Sequence, residues 1–159
     1  ELSTNQVIHF YSFKKNTNEM LKLLNILLEK YQSEKSIYLS WDAASWHISK
    51  KLNEKVEEIN MQVDQNVIKS SKVFLCPLPA SAQFLNVIES VFSGMAKAII
   101  HNSDYQSVEK CKIAVDRYFL DRNNYFIQNP KIAGNKIWGK ERVPPIFAES
   151  NNCKDPLYQ

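Results

Sequence analysis

Asp42 closes the apolar run "SIYLSW" (residues 36–41), is followed by two alanines and a serine, and has His47 five positions on. In open α/β sheets ligands gather beyond the strand ends, where the sheet holds side chains rigidly and loops leave them accessible, so an acid here suits a metal ligand. A second acid, Glu89, stands in "LNVIES" (residues 85–90) among apolar neighbours, with Asn86 one turn earlier. Mg²⁺ keeps several waters and takes substrate phosphates as ligands, so two carboxylates brought together by a fold suffice for one ion. Spacing alone leaves plainer roles open. Asp42 could form an Asx turn or cap the next helix, and Glu89 could simply be an acid favoured by a helix N-terminus.

Both acids depend on the elements around them. "VIHFYSF" (residues 7–13) is aromatic and β-branched after a turn-like "STNQ", which predicts a strand. Asn16 with Glu19 three residues later is a capping pattern, and Met20, Leu24, Leu27 and Tyr31 recur at helical spacing, which predicts a helix of about 15 residues. Residues 36–41 predict the next strand, and Ile48, Leu52, Val56 and Ile59 an amphipathic helix after it. Residues 72–76 predict a short strand ended by Pro77 and Pro79, and residues 85–100 a helix with Ile88, Val91, Phe92, Met95 and Ile99 on its apolar side. A last long helix begins near Ser107 and fades before Asn129-Pro130. The order β-α-β-α-β-α-α points to an α/β sheet domain.

Composition bounds the reading. A chain of 159 residues, 44% hydrophobic and with only three glycines, fits one globular domain and makes a glycine-rich nucleotide loop improbable. No apolar run approaches the roughly 20 residues of a membrane span and no signal peptide is visible, so a soluble, cytoplasmic protein without membrane attachment is expected. Cys76, Cys111 and Cys153 are far apart, without metal-site spacing, and read as reduced thiols. The net charge is only +3, yet eight basic residues against three acids between Lys110 and Arg142 support a polyanionic partner. The equal alternative is a solvated helix face.

"WDAASWH" (residues 41–47) resembles the second-aspartate motif of Asp-Asp-Glu (DDE) transposases, in the bacterial insertion-sequence branch related to mariner elements. "LPASAQFLNVIES" (residues 78–90) resembles the segment that delivers that family's catalytic glutamate, and "NPKIAGNKIWGKE" (residues 129–141) its basic C-terminal segment. The resemblance implies a ribonuclease H-like fold and two Mg²⁺ (or Mn²⁺) ions that clamp the scissile phosphate during strand cleavage and strand transfer. Residue by residue, it implies Asp42 as second carboxylate, Glu89 as third, Asn86 supporting Glu89, and His47 lining the site or bracing its loop. Arg117, Arg122, Lys136, Lys140 and Arg142 are the DNA-binding candidates.

No acid in this sequence fits the family's first aspartate, so the resemblance implies an incomplete, N-terminally truncated and inactive catalytic domain over residues 1–142, short of a central strand, with an irregular tail over residues 143–159. The expected partners are transposon-end and target DNA and further copies of the chain, in a bacterial cytoplasm and on the nucleoid when DNA is bound. A non-catalytic DNA-binding or interaction domain that keeps the fold is the alternative.

Overall fold

A computed structural model describes residues 1–42, 44–47, 49–79 and 85–134. The chain runs through α1 (Thr17–Lys30), β1 (Ser36–Trp41), α2 (Lys50–Asp64), β2 (Lys72–Pro77), α3 (Val87–Met95) with a π-helical continuation (Ala96–Ile100), and α4 (Val108–Gln128).

Local chemistry sets most of these boundaries. The Asn16 side chain accepts a hydrogen bond from Glu19 N at 3.1 Å and opens α1. Glu19 turns to Lys22 at 2.7 Å and does not complete the reciprocal half of a capping box. Ser49 caps α2 through Leu52 N, and Ser107 caps α4 through Lys110 N. Where residues 85–100 predict one uninterrupted helix, the last turn widens, and His101 N donates to Ala96 O at 2.7 Å, five residues back. Asn102 then takes a positive φ of 59°, a conformation an asparagine tolerates, and ends the segment.

β1 and β2 pair in parallel, from Ser36 opposite Lys72 to Trp41 opposite Pro77. Parallel neighbours need a crossover, and α2 supplies it. Along the strands, side chains alternate between two faces. Val73, Leu39, Leu75 and Trp41 turn toward the helices, where Leu24 of α1 and Leu52, Val56 and Ile59 of α2 complete the core. On the other face Tyr38 stacks on Phe74, with ring centroids 5.0 Å apart. Two polar side chains lock this unit. Asn60 on α2 accepts from Val73 N and donates to Val73 O, both at 2.8 Å, occupying the outer edge of β2 as a strand neighbour would. The fully buried Ser71 hydroxyl lies 2.5 Å from Tyr31 O and 2.7 Å from Glu34 O, tying the end of α1 to the start of β2.

Residues 7–13 correct the sequence expectation. They are extended but join no ladder among the described residues, and the sheet there has two strands. Side chains of α4 take the place of a strand partner. Asn123 donates to Val7 O and accepts from Val7 N, each at 2.9 Å, while His9 and Tyr11 reach Asp116 at 2.7 and 2.8 Å. The segment runs antiparallel to α4, with the His9 ring against the buried Phe119. The fold is therefore mixed α/β with a small parallel sheet, compatible with a ribonuclease H-like domain.

No helix among the described residues is long and apolar enough to cross a membrane. Cys76 and Cys111 are free thiols. Cys153 and the expected tail over residues 143–159 lie outside the described residues.

Candidate functional site

The parallel register carries Asp42 to the carboxyl end of the sheet. Leu78 N donates to Trp41 O at 2.8 Å, extending the pairing past Pro77 and fixing the backbone from which Asp42 emerges. Beyond that point, described residues turn back to the Asp42 carboxylate. Ala44 N donates to Asp42 Oδ1 at 3.2 Å, an Asx turn, and His47 N donates to Ala44 O at 2.9 Å. The loop thus returns His47 to the acid, with Nδ1 2.7 Å from Asp42 Oδ1 and 3.2 Å from the Asp42 carbonyl oxygen. With oxygen acceptors on that side, Nδ1 carries the hydrogen.

Aromatic packing restrains the imidazole. The Trp41 ring stacks on it at 5.2 Å with planes 17° apart, and Trp46 meets it edge-on at 5.9 Å. The His47 side chain is 17% exposed and that of Asp42 43%, so the donor is sheltered and the carboxylate faces outward. A cleft of about 300 Å³ opens beside them, lined by Trp41, His47, Asn53, Leu75 and Pro77.

This arrangement gives the two Asp42 oxygens different tasks. Oδ1 takes both internal hydrogen bonds, and among the described residues none is made to Oδ2. A carboxylate held through one oxygen, with the other outward, is a suitable monodentate ligand for a hard cation such as Mg²⁺.

Glu89 lies in the first turn of α3, exposed, and its backbone N donates to Asn86 O at 3.1 Å. Asn86 is the N-cap residue in extended conformation, but its side chain makes no capping hydrogen bond. Among the described residues the Glu89 carboxylate makes no hydrogen bond or ion pair, and no three His, Cys, Asp or Glu side chains gather closely enough to hold a metal ion. The structure thus joins Asp42 to His47 directly and sets Asn86 beside Glu89 in sequence and backbone pairing.

The basic candidates divide. Arg117 is 83% exposed on α4, 3.9 Å from Asp121. The Arg122 guanidinium instead turns inward, donating to Asn5 O at 2.6 Å and Asn5 Oδ1 at 2.5 Å and covering the Phe126 ring at 4.7 Å. Burial pulls Arg122 below its ordinary pKa. Asn5 takes a positive φ of 57° to present both acceptors. Lys136, Lys140 and Arg142 lie outside the described residues.

Sequence reasoning did not assign the Trp41 stack on His47, nor the strand-like roles of Asn60 and Asn123. Asn60 follows Ile59 directly at the edge of the apolar stripe of α2, the one signal that it borders the core.

Neither a curated protein nor a solved structure matches the chain. A family model, DDE superfamily endonuclease, matches residues 1–112, a span that contains both Asp42 and Glu89 and ends within α4. With more than two thirds of its length matched, and with an outward-facing acid at the end of a parallel strand, the chain belongs to the DDE superfamily of endonucleases.

Proposed function

We propose that this chain is part of the catalytic domain of a transposase of the insertion-sequence branch related to mariner elements. In this reading Asp42 and Glu89 are the second and third metal-binding carboxylates of a site that cuts transposon-end DNA and joins it to a target. The presentation of Asp42 supports the reading: it stands at the carboxyl end of β1 with Oδ1 engaged by His47 and Ala44, while Oδ2 takes no hydrogen bond among the described residues.

DDE superfamily endonucleases act on DNA and use divalent metals. Bound Mg²⁺ or Mn²⁺, two ions in a complete site, would activate the attacking water or 3′-hydroxyl and stabilise the leaving oxygen. The work of this chain's residues is placement. His47 and Ala44 fix the carboxylate of Asp42, the Trp41 ring limits rotation of the imidazole, and Asn86 orders the first turn of α3 that bears Glu89. Arg117, with Lys136, Lys140 and Arg142, supplies phosphate contacts, while Arg122 is assigned to holding the N-terminal segment on α4. The reading implies a bacterial protein that works on nucleoid DNA.

A second reading, DNA binding without catalysis, is favoured by the lack of a three-ligand cluster among the described residues. Paramagnetic Mn²⁺ separates the two. Catalytic ancestry with an assembled site predicts selective broadening of the Asp42 and Glu89 resonances together, at sub-stoichiometric Mn²⁺. DNA binding that weakens steeply with salt, with no such broadening, would support the second reading.

A further inference from the structure

Phe13 is 99% exposed, against 69% for Tyr38, the next most exposed large apolar side chain among the described residues. A lone exposed ring needs no explanation, but this one is held in place and surrounded by cations. Lys14 N donates to the Ser12 hydroxyl at 3.1 Å, and that hydroxyl donates to Lys14 O at 2.9 Å, a local turn with Phe13 at its tip. The neighbouring Tyr11 hydroxyl lies 2.9 Å from Lys112 O and 2.8 Å from Asp116 Oδ1, which fixes Tyr11 on α4. Lys112 Nζ stands 5.4 Å from the centre of the Tyr11 ring and 5.7 Å from that of Phe13, so one ammonium serves both rings. Lys14 and Lys15 follow directly and are exposed. None of these lysines forms an ion pair among the described residues, while the acids beside them are engaged, Glu19 by Lys22 and Asp116 by His9.

The topology puts this cluster at the end of the sheet that carries Asp42. Ser71, just before β2, binds Tyr31 O at the close of α1, so α1 ends beside the start of the strands. A helix of 14 residues is about 21 Å long and a six-residue strand about 20 Å, so α1 spans the sheet. At the far end Lys51, in the first turn of α2, donates to Asn18 Oδ1 in the first turn of α1 at 2.8 Å. Since α2 follows the loop that leaves Asp42, the start of α1, and Phe13 four residues before it, share that end.

We infer that Phe13 is a stacking platform for an unpaired DNA base on the strand that leaves the Asp42 site, with Lys14, Lys15 and Lys112 on the flanking phosphates. A flat ring between cations matches the alternation of bases and phosphates along a single strand. An acidic peptide would use the cations alone, and a duplex keeps its bases stacked on one another, so both would leave the Phe13 ring in water. The inference rests on the reading that DNA is worked at the Asp42 end, and it adds a surface and a form of DNA to it.

Fluorescence anisotropy of a labelled oligothymidine of about 12 nucleotides, titrated with the intact chain in the presence of a metal chelator, tests the inference. The expected result is tighter binding of the single strand than of a duplex of the same length. Phe13→Ala should weaken single-strand binding about tenfold and duplex binding little, and Phe13→Trp should retain it. On a strand of the same length built from abasic sites, Phe13→Ala should have no effect. Lys14→Gln with Lys15→Gln should lower the slope of log affinity against log salt by about 1.4, at roughly 0.7 per phosphate. The exposed Phe13 ring leaves the fold unaffected by these changes. No single-strand binding by the unaltered chain, equal affinity of Phe13→Ala, or the same loss on the abasic strand would overturn it. Mn²⁺ binding at Asp42 and Glu89 is measured separately, so failure of the platform and failure of the metal site are told apart.

Discussion

His47 Nδ1 lies 2.7 Å from Asp42 Oδ1, and Ala44 N donates to the same oxygen at 3.2 Å. The contact converts a flexible side chain at a strand end into one with a set orientation. Groups that orient a metal ligand in this way change affinity by about 10–100-fold when removed. His47→Ala should therefore weaken Mn²⁺ binding about tenfold, while His47→Asn, whose amide can replace the Nδ1 donor, should recover much of it. Titration of the three proteins checks this, and equal affinities would show that orientation of Asp42 does not matter.

Asn60 serves the outer edge of β2. Its amide pairs with both backbone groups of Val73, which is 1% exposed, so truncation leaves a buried donor and acceptor without partners. Unsatisfied buried polar groups cost about 1–3 kcal/mol each. Asn60→Ala should lower unfolding free energy by about 2 kcal/mol or more in urea, and substitution of the exposed Asn53 nearby should have a much smaller effect.

The N-terminal segment should respond to pH at both extremes. Hydrogen bonds from His9 and then Tyr11 hold the Asp116 carboxyl below its usual pKa, so its contribution is present above the ordinary carboxylate value near 4 and is lost as pH falls through the depressed one. Burial, and next the hydrogen bond to Asp116, push Tyr11 up to about 12. Its contribution is complete below the ordinary value near 10 and is lost as pH rises toward 12. The protection factor against hydrogen exchange at Val7, whose N–H is held by Asn123 Oδ1, should be highest between these limits. Asp116→Asn should flatten the acid arm and Tyr11→Phe the alkaline one.

Ser71 bridges two carbonyls from a fully buried position. Ser71→Ala preserves its volume closely but leaves both acceptors without the hydroxyl. A loss of about 1–2 kcal/mol is expected, measured as a drop in the urea midpoint at unchanged m.

Much of this architecture was legible from residue pattern alone. The Asn16 cap, the α1 stripe ending near Tyr31, the strands at residues 36–41 and 72–77 and the start of α4 at Ser107 all follow from local chemistry, and each formed within a residue or two of its expected place. What local pattern could not provide was partnership. The aromatic and β-branched residues 7–13 predict a strand, but the segment joins no sheet among the described residues, and its backbone partner at Val7 is the Asn123 amide more than a hundred residues away. An asparagine within a helix reads as a solvent-facing polar residue, so Asn60 and Asn123 gave no sign that they stand in for strands. The widening of α3 at Ala96 was likewise hidden, because its residues are as compatible with an α-turn. For the site, the sequence offered Asp42 and His47 as neighbours, and the loop geometry added which oxygen is used.

Asp42 and Glu89 are proposed to serve one divalent cation. Isothermal titration of Mn²⁺ into the intact chain, beside an Asp42→Ala, Glu89→Ala double variant and each single variant, tests it most directly. The expected result is binding that each single change weakens and the double change abolishes, with the fold intact by circular dichroism. Binding of equal strength in the double variant, or no binding by the unaltered chain, would contradict it.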